Sequence, residues 1–268
     1  MSWWIQVYLN EFKKVAVYKA LFWFDFVIST FSHVLIAYFL WEAIFTSKGV
    51  TEMNGYTLKG IVFYYLISTL VEKLNHGAGW RAGASMDIYE GGLTKFLVYP
   101  LSYLNYKSAT HASFFCVNWL KSLVGVGAFI FLFGVPSDVP LSWTALGLGF
   151  VLTVLSAYMQ LVLGLMIDGV AFWADNVWSL QVMLRFVSQL LGGALIPLVL
   201  FPDSWRVVAE KLPFVCLFAN PVQTLMGKMP VEQSLWACLV AIVWIGIFLA
   251  ALRIVWSRGY KEYSGVGV

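Results

Sequence analysis

Six stretches of this chain are apolar enough to enter a bilayer, and that restricts the fold more than any other feature. In hydrocarbon every backbone N–H and C=O must find its partner inside the protein, so only helices or a closed barrel can cross. A helical run of about 20 residues covers the roughly 30 Å of a bilayer core. The candidate spans are residues 24–45, 60–74, 111–133, 141–167, 177–200 and 235–256. The second is the shortest and ends on Glu72 and Lys73. Charged residues make up only 12% of the 268, against about 25% in soluble domains. What lies between the spans therefore cannot clothe a separate soluble domain. The expected fold is an all-α membrane protein, one transmembrane domain over residues 1–268 with six transmembrane helices.

Basic residues set the orientation, since lysine and arginine accumulate on the cytoplasmic side. One side carries Lys13, Lys14 and Lys19, then Arg81, Lys95 and Lys107, then Arg253, Arg258 and Lys261. On the other side Lys48, Lys59, Arg206, Lys211 and Lys228 are partly offset by Glu52, Asp203, Glu210 and Glu232, and residues 134–140 carry no basic group. Both termini are expected in the cytoplasm, with a first span that is not cleaved as a signal peptide. The scattered basic residues give no support to nucleic-acid binding.

The longest polar interval on the cytoplasmic side is residues 76–107. It is too long for a hairpin turn and too short for a core of its own. Residues 82–89 can form about two helical turns, with Gly91 as a left-handed cap. Leu93, Phe96 and Leu97 then share a face before Pro100. Such an element at a membrane surface suits the docking of a partner. Its candidate contact residues are Arg81, Ser85, Asp87, Ile88, Tyr89, Glu90 and Gly91.

The first 20 residues place Trp4, Tyr8 and Phe12 at helical spacing, with Lys13 and Lys14 beside them. This reads as an amphipathic helix in contact with membrane lipid, or as a simple anchor. On the outer side, Trp205, Val208, Ala209 and Leu212 share a helical face, Pro213 interrupts, and an apolar run follows to Ala219. Residues 201–228 either dip into the membrane and return or form a surface helix under a loop. Gly192, Gly193 and Pro197 allow the fifth span to bend.

Ionisable groups at membrane depth include Asp25, His33, Glu42, Asp168 and Arg185. His33 is the deepest, and reads as a relay member or as a packing residue. Gly125 and Gly127, with Ala145 and Gly149, permit close helix contact. Cys116, Cys216 and Cys238 show no metal spacing. The sequence contains no His-Glu-x-x-His, no Gly-x-Ser-x-Gly and no Walker A loop. No catalytic residue and no metal site are expected in this chain, so any work must be driven from outside it.

Several stretches together resemble one family. They are Tyr99-Pro100-Leu101-Ser102, Phe172-Trp173-Ala174-Asp175-Asn176, Gly193-Ala194-Leu195-Ile196-Pro197, Phe201-Pro202, Leu212-Pro213-Phe214, Pro221, Gly227-Lys228 and Tyr263-Ser264-Gly265-Val266-Gly267. In order and spacing the set is similar to the permease subunits of type-2 ABC exporters, in the small single-domain bacterial branch. The resemblance implies a half-transporter in the bacterial inner membrane. It would pair with a second copy or a related permease and bind two ABC ATPase subunits, which hold the ATP and magnesium. It also implies that residues 76–107 contain a coupling helix, that residues 1–20 form an interface helix, and that Phe201, Pro202, Pro213 and Pro221 belong to an outer re-entrant gate. The cargo would be hydrophobic or amphipathic and move outward. The competing readings are a membrane scaffold or assembly protein without a transport path, and a lipid-modifying enzyme using His33 or His111 with Asp25 or Asp168.

Overall fold

The computed structural model describes residues 5–7, 9, 10, 13, 19–75, 83–98 and 101–265, without the side chains of residues 19, 21 and 22. Trp4, Tyr8, Phe12, Lys14, Arg81, Tyr99 and Pro100 lie outside these residues, while Lys13 is helical and exposed.

The first long helix, α1 (Lys19–Lys48), gives way to a small hairpin. Strands β1 (Glu52–Met53) and β2 (Tyr56–Thr57) pair antiparallel, with Glu52 opposite Thr57. The turn is Asn54-Gly55, both at positive φ, which is the chemistry a two-residue hairpin needs. Helix α2 (Leu58–Asn75) then runs back antiparallel to α1. Thirteen of its 18 residues are buried, so it is the centre of the bundle rather than a lipid-facing span. That is why its polar residues are tolerated: they bond to neighbouring helices instead of facing hydrocarbon.

Two short helices follow at the far end, α3 (Ala84–Tyr89) and α4 (Thr94–Val98). Helix α5 (Tyr103–Phe133) leads to α6 (Trp143–Asp168), which tightens into a 3₁₀ turn at Gly169–Phe172. Helix α7 (Trp178–Leu191) is next. Beyond a 3₁₀ turn at Leu198–Leu200 come α8 (Asp203–Lys211), a second 3₁₀ turn (Pro213–Leu217), α9 (Ala219–Leu225) and finally α10 (Val231–Glu262). Among the described residues, four helical stretches have the length and apolarity to cross a membrane: Trp23–Lys48, Tyr103–Phe133, Trp143–Phe172 and Val231–Glu262.

The expected fifth span, residues 177–200, is not one helix. Helix α7 ends after 14 residues, about 21 Å, and Gly193 takes φ +87. The carbonyls of Gly193 and Leu195 then accept hydrogen bonds from Tyr64 and Tyr65 on α2, at 2.8 Å each. Asn54 in the hairpin donates to Val199 O at 3.1 Å. The segment thus reaches the hairpin end of the bundle, but its last third is irregular backbone held by side chains of α2.

From the hairpin end the chain dips back inward. Leu217 and Phe218 are fully buried, and Leu217 O accepts from Asn75 Nδ2 and Ser156 Oγ, both at 2.8 Å. Ser156 lies 14 residues, about 21 Å, along α6 from its capping residue Ser142. Helix α9 returns to the hairpin end, where Lys228 donates to Gly55 O at 2.6 Å. Helix α8 turns one side inward and one outward: Ala209 is 1% exposed, while Trp205 and Val208 are 66% and 56% exposed.

Candidate functional site

Helix α3 has a weakness at its start. Gly83 occupies the N-cap position and carries no side chain to satisfy the first backbone N–H groups. The missing acceptor comes from another element. Asp168, at the end of α6, accepts the Ala84 N–H on Oδ2 at 2.8 Å. The other oxygen of the same carboxylate accepts from Gln181 of α7. Asp168 is 6% exposed, so one buried carboxylate ties α3 to two long helices. Its negative charge also sits where the dipole of α3 favours an anion. A Cβ at position 83 would approach that carboxylate to 3.2 Å, a tight contact that glycine avoids.

The rest of α3 is fastened as firmly. Ala84, Ser85 and Ile88 are buried, and Leu93, fully buried, plugs the same cluster of Tyr103, Leu165, Leu252 and Trp256. Tyr89 donates to Ala174 O at 2.8 Å, and burial pushes its phenol above the ordinary value. Gly91 takes the left-handed conformation (φ +73) and lets Leu93 N–H return to Asp87 O at 3.1 Å, closing the helix as its sequence position predicts. The C-terminal stretch joins here too: Thr94 Oγ1 and Tyr263 Oη lie 3.1 Å apart.

The candidate contact residues of α3 differ in what they touch. Asp87 is held by Tyr103 Oη at 2.5 Å and Lys107 Nζ at 2.9 Å, both on α5. Its carboxylate therefore anchors α3 to α5 while remaining partly exposed, at 31%. Ser85 and Ile88 face inward. Met86 and Glu90 are the exposed side chains of the turn, Met86 at 48%. Leu97 does not share the face of Leu93 and Phe96 but stands 60% exposed, beside Val98 at 79%.

A chain of hydrogen bonds leads away from α3. Gln181 joins Asp168 to α7, and Arg185 and Gln189 on α7 donate to Glu72 Oε1 of α2 at 2.7 and 2.6 Å. Just beyond the end of α7, Gly192 O accepts the Ala219 N–H at 2.9 Å. A Cβ on Gly192 would come within 2.7 Å of Phe214 O, so glycine there permits the close approach. The candidate hinge residues Gly192 and Gly193 are thereby placed against the buried hairpin that contains Pro213 and Pro221. Pro197 is buried, Phe201 packs against the small cluster of Leu198, Ala209 and Val215, and Pro202 is exposed at the start of α8.

At the hairpin end, Lys228 and Asp138 form a buried ion pair at 2.8 Å, with side chains 14% and 11% exposed. Thr57 donates to the other Asp138 oxygen at 2.7 Å. Burial alone would raise the Asp138 carboxyl, but the hydrogen bonds from Lys228 and Thr57 hold it below its ordinary value. Burial, with Asp138 nearby, pushes the Tyr56 phenol up to about 12. The ammonium of Lys228 stands 3.7 Å from the Tyr56 ring centroid.

The remaining candidates have ordinary partners. His33 is exposed and its Nδ1 lies 2.6 Å from Ser29 O. His111 is 3.2 Å from Asn75 O. Gly149 meets Leu225 and Gly125 meets Phe26 within the chain, so these small residues serve its own packing. Among the described residues no group of three or more His, Cys, Asp or Glu could hold a metal ion.

No curated protein and no solved structure matched the chain. A family model described as ABC-2 family transporter protein does match, over residues 31–267, and so takes in α2, α3, the α7 break and the buried hairpin. The chain belongs to that family, as an ABC-2 type permease subunit of the membrane.

Proposed function

We propose that this chain is the membrane half of an ATP-driven exporter, moved by ABC ATPase subunits that grip the exposed face of α3 on the cytoplasmic side. Family membership implies association with ABC ATPases in general. The specific arrangement is our reading: two permeases, identical or related, with two ATPases that carry the ATP and magnesium. Positive-inside counting places α3, α4 and both termini in the cytoplasm of a bacterial inner-membrane protein. The chain then crosses six times, with the protein-enclosed α2 and the α7 segment, which keeps an exposed face at Met183 and Phe186, as the two shorter crossings. The cargo is hydrophobic or amphipathic, and hydrolysis belongs to the partner.

The observation that carries this reading is the capping of α3 by Asp168. A short helix with a loose start would absorb a push by bending. One whose first N–H is held by a buried carboxylate, shared with Gln181, passes displacement to the ends of α6 and α7. From α7 the push reaches Gly192 and Gly193, and through the Gly192–Ala219 hydrogen bond it reaches the buried hairpin of Pro213 and Pro221. That hairpin is the outer gate, and the glycine break is its hinge. The route enters at the ends of α6 and α7, the fourth and fifth crossings.

Replacing Met86 by Glu together with Glu90 by Lys alters only exposed side chains. Co-purification of the ATPase should fall at least tenfold while the yield of folded chain stays constant. Undiminished co-purification would count against α3 as the drive point. Asp87 is a poor probe, because its loss also frees Lys107 and Tyr103.

A further inference from the structure

Between α7 and α10 the chain makes two passes that are held very differently. In the outgoing pass, residues 194–212, the buried residues are Pro197, Leu198 and Ala209. Leu198 and Ala209 form a small cluster with Val215 and Ala219, apart from the main core. Two side chains tether this pass, Tyr65 to Leu195 O and Asn54 to Val199 O. Both of its ends are joints: Gly193 has φ +87, and Leu212 is extended (φ −83, ψ 155) ahead of Pro213.

The inward pass and return, residues 213–226, has no exposed residue. Cys216, Leu217, Phe218, Val222 and Met226 belong to the main core. Its tip is held at Leu217 O by Asn75 and Ser156. Leu225 of α9 lies so near α6 that a Cβ on Gly149 would come within 2.6 Å of it. Thr224 and Ser234 stand 3.2 Å apart and join α9 to α10. Just beyond, Lys228 binds both Gly55 O and Asp138.

We propose that the outer gate has a single moving leaf: residues 194–212 swing on the joints at Gly193 and Leu212, while residues 213–228 stay with the frame. Segments open at a free energy set by how much they bury and how they are bonded, and here adjacent passes differ sharply in both. The proposal rests on the gate described above and refines it. The push arriving along α7 turns the leaf at Gly193, and Ala219, bonded to Gly192 O, is the fixed bearing. The ion pair of Lys228 and Asp138 is then part of the frame, because it ties the returning chain to the β-hairpin and to the loop between α5 and α6.

The test is the rate at which N-ethylmaleimide labels single introduced cysteines in the full chain in mild detergent. Labelling is read peptide by peptide by mass spectrometry, so the native cysteines stay in place. Leu198→Cys and Ala209→Cys report on the leaf, and Met226→Cys on the returning chain. All three sites are 3% exposed or less. Leu198 and Met226 lie at the same end of the molecule, since their neighbours Val199 and Lys228 bond to Asn54 and Gly55. Cysteines at 198 and 209 should label at least about ten times faster than one at 226 or the native Cys216. Tyr65→Phe, which removes one tether, should speed 198 and 209 about fivefold and leave 226 unchanged. Equal rates at all four sites, faster labelling at 226, or indifference to Tyr65→Phe would overturn the single leaf. ATPase co-purification is scored separately: its loss would sink the exporter reading, while the labelling contrast still decides which pass moves.

Discussion

Removing the carboxylate of Asp168 should release α3 from the bundle without unfolding the long helices. In Asp168→Ala the Ala84 N–H and the Ser85 hydroxyl, both on α3, lose their acceptor, and Gly83 has nothing to offer instead. Each hydrogen bond to a charged group is worth about 1.5 kcal/mol at the low end, so the two give about 3 kcal/mol. That corresponds to roughly a hundredfold rise in the open population of α3. Hydrogen-exchange mass spectrometry on peptides covering residues 84–93 reads it directly as a matching acceleration. Asp168→Asn keeps one acceptor oxygen and should accelerate exchange about tenfold. Peptides from α10, which Asp168 does not hold by a hydrogen bond, should be unchanged. Acceleration below threefold in Asp168→Ala, or equal acceleration throughout the chain, would refute the capping argument.

Two further outcomes concern the hairpin end. Gly227→Ala should cost at least 2 kcal/mol and lower the melting temperature by several degrees, since φ is +70 and the new Cβ would lie 2.1 Å from Pro140 O. A melting temperature within a degree of wild type would show that the contact relaxes freely. The Lys228–Asp138 pair should show a definite pH signature. The Asp138 carboxyl is held lower in the folded protein than its ordinary 3.8, so its stabilisation is complete above that pH and is lost as pH falls through the folded value. The melting-temperature gap between wild type and Asp138→Asn should therefore be constant from pH 7 to 5 and shrink only below about 4. A gap that closes near pH 6 would contradict the assignment.

The long apolar helices were readable because hydropathy alone specifies them, although α5 begins at Tyr103 rather than His111 and α10 runs from Val231 rather than Leu235. Helix α3 and its Gly91 terminus were also readable, since local chemistry determines both. The second span was hard to read for a physical reason: Glu72, Lys73 and Asn75 are unsuited to lipid, and α2 is enclosed by protein. The break in α7 falls where Gly192, Gly193 and Pro197 allow a bend, whereas the partners of its irregular backbone, Tyr64 and Tyr65, lie 129 and 130 residues away and no local signal names them. Asn54-Gly55 is a two-residue hairpin signal legible in the sequence itself. Asp168 was noticed as a charged residue near a helix end. Its task could not be read, because the orphan N–H it satisfies lies 84 residues earlier and no spacing rule connects them.

Photo-cross-linking in cells tests the central claim most directly. A photoreactive amino acid at position 86, on the exposed face of α3, should yield an adduct with an ABC ATPase, whereas one at position 205, on the exposed face of α8, should not. Adducts at 205 and none at 86 would place the nucleotide-driven partner at the wrong end of the molecule and contradict the account.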